Sequence, residues 1–447
     1  MPALFFISRM RSVRRFSDWP IFMDMLDYSW STGIKIVHMG AKIRSRPYAS
    51  KEVQCWQRAL ERVKKMRKQA IEDAMKRIKR NINSFNGKFP HVGHHGSYER
   101  IENEDWTNGF WPGMLWLCYE YSGDRVYADA ARKVTESFQR RLDSNTVLDH
   151  HDIGFLYSLS AKAEWFVTGN EDARALALRA ADKLLERWRE AGQYIQAWGP
   201  AGDEAQGGRI IIDCLLNLPL LFWAANETGE ERFRRVALKQ AEQSRRYLVR
   251  GDDSSYHTFI FNQHNGEPIG GTTHQGYSNG STWTRGQAWG VYGFALAYRY
   301  TGDQAYLDTS KRMALYFIRH LPEDHVAYWD FNAPAGPDTY RDSSASAIVA
   351  SGLQELLEHL PAADPDADEL REGLMASVHS LIEHYSTMDD FAAEGLLKHG
   401  SYYVRGNLAP DDFTIWGDYY YLEALMRLER GIRGYWYAPQ SDQGGQG

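Results

Sequence analysis

Tyr300-Thr301-Gly302-Asp303 joins two segments, 282–301 and 303–320, whose apolar residues recur every three or four positions. That recurrence marks amphipathic helices. Glycine accepts the left-handed backbone that closes a helix, and an acidic or Asn residue after it suits the start of the next. The same punctuation returns at Tyr121-Ser122-Gly123-Asp124, Val167-Thr168-Gly169-Asn170 and Glu227-Thr228-Gly229-Glu230. Outward from these turns, twelve helical segments are predicted: 57–84, 109–122, 124–142, 153–168, 171–191, 210–228, 230–249, 282–301, 303–320, 343–360, 367–386 and 413–431. A repeated helix–Gly–helix unit means antiparallel pairs packed side by side.

The remaining connectors are long: 87–108, 143–152, 192–209, 250–281, 321–342 and 387–412. They hold most of the histidines, together with Trp106, Trp198 and Trp329. Short turns at one end and long aromatic loops at the other predict an all-α fold, an (α/α)6 barrel. Six inner helices would alternate with six outer ones, with the long loops gathered at one mouth. Functional residues are expected on such loops, held by a rigid scaffold. The inner helices should follow the long loops. They open with Trp106-Thr107-Asn108-Gly109-Phe110-Trp111, His151-Asp152, Asp213, Trp283-Thr284-Arg285, Arg341-Asp342-Ser343 and Trp416-Gly417-Asp418. Those starts are polar and aromatic, where a purely structural inner helix would be apolar. Residues 1–55 read as a poorly ordered extension or an upstream start. Residues 56–435 read as one catalytic domain, and 436–447, ending Gln443-Gly444-Gly445-Gln446-Gly447, as a flexible tail.

The chain has 447 residues, enough for one large barrel or toroid. Fifteen Trp and 26 Tyr either fill a big core or line a sugar site, where flat rings stack on pyranose faces. A net charge of −6 argues against a nucleic-acid surface. Cys55, Cys118 and Cys214 are an odd count without a C-x-x-C pair, which predicts free thiols in a reducing compartment and no zinc site. No apolar run reaches the roughly 18 residues that span a bilayer, so no membrane partner is expected. Leu4-Phe5-Phe6-Ile7 precedes the arginines, the wrong order for a secretory signal. The expected location is cytoplasmic, as a monomer or weak homodimer.

Asp213 lies in Arg209-Ile210-Ile211-Ile212-Asp213-Cys214-Leu215-Leu216. A carboxyl among such neighbours loses solvation on burial, holds its proton near neutral pH and suits a general acid. The plain alternative is a first-turn or capping aspartate. Asp152 follows His150 and His151 at a helix start, where capping is again the plain reading. A metal site is a third, but no further ligand stands at i+3 or i+4, so no metal is expected. A third cluster combines Tyr256-His257, His274-Gln275-Gly276 and Trp283-Thr284-Arg285-Gly286-Gln287-Ala288-Trp289. Arg285 and Trp289 are four apart and share a helix face. An arginine fork beside indoles suits a carboxylated sugar, or is cation–π packing at a helix end. Trp106, Trp198 and Trp416 are further platforms or plain core.

Asp105-Trp-Thr-Asn-Gly-Phe-Trp-Pro-Gly-Met-Leu-Trp-Leu117, His151-Asp-Ile-Gly-Phe155, Ile211-Ile-Asp-Cys214 and Ser281-Thr-Trp-Thr-Arg-Gly-Gln-Ala-Trp-Gly290 together resemble the unsaturated glucuronyl hydrolases, glycoside hydrolase family 88. The likeness runs over roughly 66–435. It implies an (α/α)6 barrel with no metal and no cofactor. The implied partners are oligosaccharides left by polysaccharide lyases, ending in a 4,5-unsaturated uronic acid. On that resemblance Asp213 is the general acid and base, and Asp152 its charged partner on the substrate ring. His151, His257, Gln275 and Arg285 would be polar contacts to the uronate, with Trp106, Trp198, Trp283 and Trp289 as walls. Tyr402 would reach the second sugar. The family's element for sulfated substrates, Ser-x-x-Ser-x-Lys, is here Tyr403-Val404-Arg405-Gly406-Asn407-Leu408, which points to non-sulfated substrates. The competing readings are an unsaturated rhamnogalacturonyl hydrolase of the same barrel and a non-catalytic sugar-binding toroid.

Overall fold

A computed structural model describes residues 49–437 apart from 95. In chain order the first helices are α1 (Ala49–Phe85), α2 (Phe110–Ser122), α3 (Arg125–Asp143) and α4 (Ile153–Tyr157). A π turn, Ser158–Lys162, carries α4 into α5 (Ala163–Thr168), and α6 follows (Glu171–Leu185). The remainder are α7 (Leu218–Thr228), α8 (Glu231–Tyr247), α9 (Thr284–Thr301), α10 (Gln304–Arg319), α11 (Ser343–His359), α12 (Ala367–Ser380) and α13 (Ile415–Arg430). With α4–α5 counted as one broken rod, these are six inner helices (α2, α4–α5, α7, α9, α11, α13) alternating with six outer ones. The barrel is the (α/α)6 type.

Burial follows the sequence. Every residue of α9 from Thr284 to Ala297 is buried, as a rod enclosed on all sides requires. Outer helix α3 buries one stripe, including Tyr127, Ala131, Val134 and Phe138. The four inter-helix glycines take the left-handed backbone, with φ of 70° at Gly123, 71° at Gly169, 73° at Gly229 and 69° at Gly302. Asp124, Asn170 and Asp303 then cap the next helix by accepting from Val126, Asp172 and Ala305 N–H. Glu230 makes no such bond.

A glycine sits at each contact round the inner ring. A Cβ at Gly109 would overlap Phe155, at Gly154 Asn217, and at Gly293 Leu215. One at Gly352 would press on Tyr292, at Gly417 on Ser344, and at Gly113 on Tyr419. The inner helices therefore approach closely, backbone to backbone at Gly109, Gly154 and Gly352, and a small ring can present several helix starts to one mouth.

The long loops, and the end of the predicted helix 171–191, carry strands that helical periodicity did not reveal. β1 (Phe89–His94) pairs with β2 (Ser97–Ile101), and β3 (Trp188–Arg189) with β4 (Tyr194–Ile195). β5 (Arg209–Ile211), β6 (Thr258–Phe261) and β7 (Pro268–Thr272) form an antiparallel sheet in that order. The predicted helix 210–228 is thus corrected: it is strand β5, a 3-10 turn Ile212–Leu216, and then α7. Consecutive isoleucines favour extended backbone, and Pro219 tolerates only the first turn of a helix.

The tail boundary also moves. Trp436 and Tyr437, assigned by sequence to a flexible tail, are buried. The Trp436 ring lies parallel to Tyr420 at 6.0 Å, and its N–H donates to Glu423 Oε2 at 3.0 Å. Helix α1 begins at Ala49, so the expected boundary at 55 falls inside it. Residues 1–48 and 438–447 lie outside the described residues. Cys118 and Cys214 are buried and free. No described helix is long and apolar enough to cross a membrane.

Candidate active site

Asp152 stands where α4 begins, yet its side chain makes no capping bond. Asp213 lies in the first turn of the Ile212–Leu216 helix, whose capping position is held by Ile211. Neither carboxylate caps a helix: Asp152 makes no capping bond, and Asp213 is a first-turn acid whose Oδ2 has no hydrogen-bond partner.

Their environments push them apart. Burial is the largest influence on Asp213, followed by the charge of Asp152, and together they raise its pKa to about 7. Arg285 and Trp289 oppose this more weakly. The side chain of Asp213 keeps 15% of its surface open, a small window on an otherwise enclosed group. Its Oδ2 carries no hydrogen bond, and neither does the Trp289 indole N–H. Burial also acts to raise Asp152, but His151, His150 and Asn217 outweigh it and leave its pKa below the usual value. One carboxyl holds a proton near neutrality beside another that is ionised, the pattern that divides acid from base.

The histidines fit this division. Burial lowers His151 to about 4 and holds His257 well below its ordinary value, so both are neutral at pH 7. His257 Nδ1 accepts the backbone N–H groups of His274 and Gln275, at 3.1 and 3.2 Å. Its proton therefore sits on Nε2, which faces Asp213 Oδ2 at 3.9 Å. His151 Nε2 lies 3.4 Å from Asp152 Oδ1. His150 Nδ1 accepts the Asp152 N–H at 3.1 Å, and its Nε2 meets the Val147 carbonyl at 3.0 Å.

The structure sorts the remaining candidates. Trp106, Trp198 and Tyr402 are half-buried and keep a face to solvent. The Trp106 N–H reaches Tyr402 Oη at 3.4 Å, and Trp198 meets His274 edge-on at 5.2 Å. Trp283 and Trp289 are buried. Trp283 backs the His257 ring at 4.4 Å, and Trp289 is a sealed floor packed on Phe155 and Tyr420. Neither shows an open wall. Trp416, weighed as a platform, is core behind Trp106 and Tyr402.

Arg285 has more partners inside the protein than the sequence indicated. Its guanidinium is buried, packs on Trp283 and Trp416, and pairs with Asp342 Oδ2 at 2.6 Å. It also donates to the carbonyls of Ser401 and Tyr402. Gln275 donates to the same Tyr402 carbonyl at 3.1 Å. Both side chains hold the mouth loop in place.

Sequence reasoning passed over two residues that matter here. Asn217 accepts the Phe155 N–H at 2.8 Å and donates to the Asp213 carbonyl at 3.4 Å, tying the two aspartate-bearing turns together. Its signal was its place one turn beyond Asp213. Asp342 opened a predicted inner helix, but nothing in the sequence linked it to Arg285.

An (α/α)6 barrel with a proton-holding and an ionised carboxyl under an aromatic mouth has the equipment of a glycoside hydrolase. The family model for Glycosyl Hydrolase Family 88 matches residues 77–405, and the chain belongs to that family. It is 58% identical to the unsaturated glucuronyl hydrolase of Bacillus sp. strain GL1 over 373 residues, 83% of this chain and 99% of the relative. The crystal structure of the Bacillus sp. GL1 unsaturated glucuronyl hydrolase superposes with a TM-score of 0.83 at 57% identity, covering 84% of this chain and all of that one. An unsaturated chondroitin disaccharide hydrolase from Streptococcus pneumoniae is 45% identical over 82% of this chain and 93% of its own. The chain is a glycosidase that releases a terminal unsaturated uronic acid from oligosaccharides.

Proposed function

We propose that Asp213 carries this reaction as general acid and then base, by hydration of the C4=C5 double bond. Its protonated carboxyl donates to C4, leaving positive charge at C5 that the ring oxygen shares. The resulting carboxylate takes a proton from a water whose oxygen bonds to C5. The hemiketal so formed opens by cleaving the C5–ring-oxygen bond, and the C1 hemiacetal then expels the next sugar. Proton and water balance: one water is consumed and Asp213 ends as it began. The raised pKa of Asp213 carries this reading, since the acid must be charged with a proton at working pH. Asp152, ionised, keeps it so and meets the substrate ring.

The site residues take their parts around this step. His257 offers its Nε2–H beside Asp213, and His151 steadies Asp152. Of the five Arg285 N–H donors, two remain after Asp342, Ser401 and Tyr402 are served, enough to hold the uronate carboxylate. Trp106 and Trp198 stack on sugar faces, and Tyr402 meets the second sugar. The loop Tyr403–Leu408 lacks the Ser and Lys donors of a sulfate site, so non-sulfated disaccharides are the substrates. Buried free thiols at Cys118 and Cys214 support a cytoplasmic location.

The test is loss of ultraviolet absorbance from the conjugated uronate, with unsaturated disaccharides of hyaluronan, chondroitin, gellan and rhamnogalacturonan. Wild type should bleach the first three, non-sulfated forms fastest. Asp213→Asn should lower turnover at least about 10²-fold with the fold intact. A variant keeping a tenth of the rate would remove Asp213 from the acid role.

A further inference from the structure

Asp342 is buried at the start of α11, and its two oxygens serve different partners. Oδ1 caps the helix, accepting from Ser344 N–H at 3.2 Å and Ala345 N–H at 3.4 Å. The same oxygen accepts the Ser401 N–H at 3.3 Å, from the mouth loop. Oδ2 takes the Arg285 guanidinium at 2.6 Å, and that guanidinium in turn holds the Ser401 and Tyr402 carbonyls. A second backbone bond, Ser343 N–H to His399 O at 2.9 Å, closes the same junction. One carboxylate thus joins an inner helix, the α9 arginine and the loop that carries Tyr402.

We propose that Asp342 is a positioning residue of the hydrolase reaction: through Arg285 it fixes the Ser401–Tyr402 backbone and aims the remaining Arg285 donors into the cleft. It does not touch substrate. The proposal rests on the reading of Arg285 and Tyr402 given above. Two consequences follow. Losing the carboxylate releases Tyr402 and the Arg285 donors, and a displacement of about 1 Å at such a contact costs on the order of 10²-fold in rate. It also leaves a buried cation without its counter-charge near Asp213. Arg285 already pulls the Asp213 pKa down, against burial and Asp152. The other groups facing Asp213 are His257, Cys214 and Tyr420. At neutral pH all three are uncharged, so once Asp342 is gone the Arg285 charge acts on Asp213 against burial and Asp152 alone among the described residues.

The experiment uses the full chain and five proteins: wild type, Asp342→Asn, Asp342→Glu, Arg285→Gln and Asp342→Asn combined with Arg285→Gln. Bleaching by wild type is the control for the activity itself, so a failure there indicts the proposed reaction and not Asp342. Asn keeps the helix cap and loses the charge. For it we expect KM to rise about tenfold or more, kcat/KM to fall about 10²-fold, and the alkaline limb of the pH profile to move to lower pH. Glu keeps the charge and shifts it, so KM should rise while the limb stays put. If Asn prevents folding, the Glu variant decides by the same KM and pH readings. The double variant should restore the limb and be no slower than Arg285→Gln alone, because both changes break one connection. A lowered melting temperature with unchanged KM, kcat and pH limb would reduce Asp342 to a structural cap and overturn the proposal. So would losses that add in the double variant.

Discussion

Gly154 and Asn217 touch backbone to backbone: a Cβ on Gly154 would stand 2.6 Å from the Asn217 carbonyl oxygen and closer still to its Cα. This contact lies two residues after Asp152 and four after Asp213. It is why two carboxylates 61 positions apart in sequence influence each other's proton affinity. Gly154→Ala should therefore act twice. Overpacking should lower stability by about 3 kcal/mol in denaturant titration. The separated turns should also lower kcat/KM more than tenfold. A variant that loses stability but keeps full activity would show that the approach is packing alone.

The paired carboxyls set the pH profile. In the proposed mechanism Asp213 donates a proton, and its pKa is raised to about 7, so kcat/KM should fall as pH climbs through about 7. The same mechanism uses Asp152 ionised, and its pKa is lowered, so the acid limb should lie below the ordinary carboxylate range. The charge of Asp152 is one cause of the high Asp213 value. Asp152→Asn should then move the alkaline limb to lower pH as well as slow the reaction. An alkaline limb unmoved in that variant would separate the two groups. The limbs belong to the pair as a coupled system.

The same shift predicts a stability effect with a definite sign. A carboxyl whose folded pKa exceeds its unfolded value favours folding at low pH and loses that benefit as pH rises toward the folded pKa. For Asp213 the window runs from about 4, the unfolded value, to about 7. Asp213→Asn does not titrate. The variant should melt at a higher temperature than wild type at pH 8, and the advantage should shrink to nothing near pH 4. Melting curves across that range check it.

The architecture was legible because its signals are local. Gly123, Gly169, Gly229 and Gly302 end helices by conformation, and a repeated helix–turn unit with alternating loop lengths implies the toroid. The burial of Asp213 was legible because its neighbours Ile210–Ile212 and Cys214–Leu216 are apolar, whereas its pairing with Asp152 was expected from the resemblance and not from local chemistry. What stayed hidden depends on distant partners. Arg285 looked free because Asp342, 57 residues later, is not visible beside it. Trp283 and Trp289 looked like walls because a tryptophan's type does not say which face is covered. The 210–228 segment looked helical because a run of isoleucines fits a strand and a buried helix equally well. The tail boundary failed for a similar reason: Tyr435, Trp436 and Tyr437 follow a helix-ending glycine, and their burial depends on five other helices.

That C-terminal segment leads to the last prediction. The Trp436 ring stacks on Tyr420 and meets Phe155 edge-on at 6.0 Å. Both of those rings touch Trp289, each at 5.3 Å between centroids. Trp289 in turn lies against Asp213. The carbonyl of Trp436 also receives Tyr300 Oη–H at 2.7 Å and the buried Lys162 amine at 3.3 Å. Trp436→Ala would open a cavity under the floor of the site and should cost about 3–5 kcal/mol. Phe at this position keeps the stack but loses the bond to Glu423 Oε2, a smaller change of about 1 kcal/mol with a partner left unpaired. The order of thermal stability should be wild type, Phe, Ala, and turnover should follow it, since the floor that settles is the one that holds Trp289. An Ala variant as stable and as active as wild type would mean the segment merely rests on the barrel.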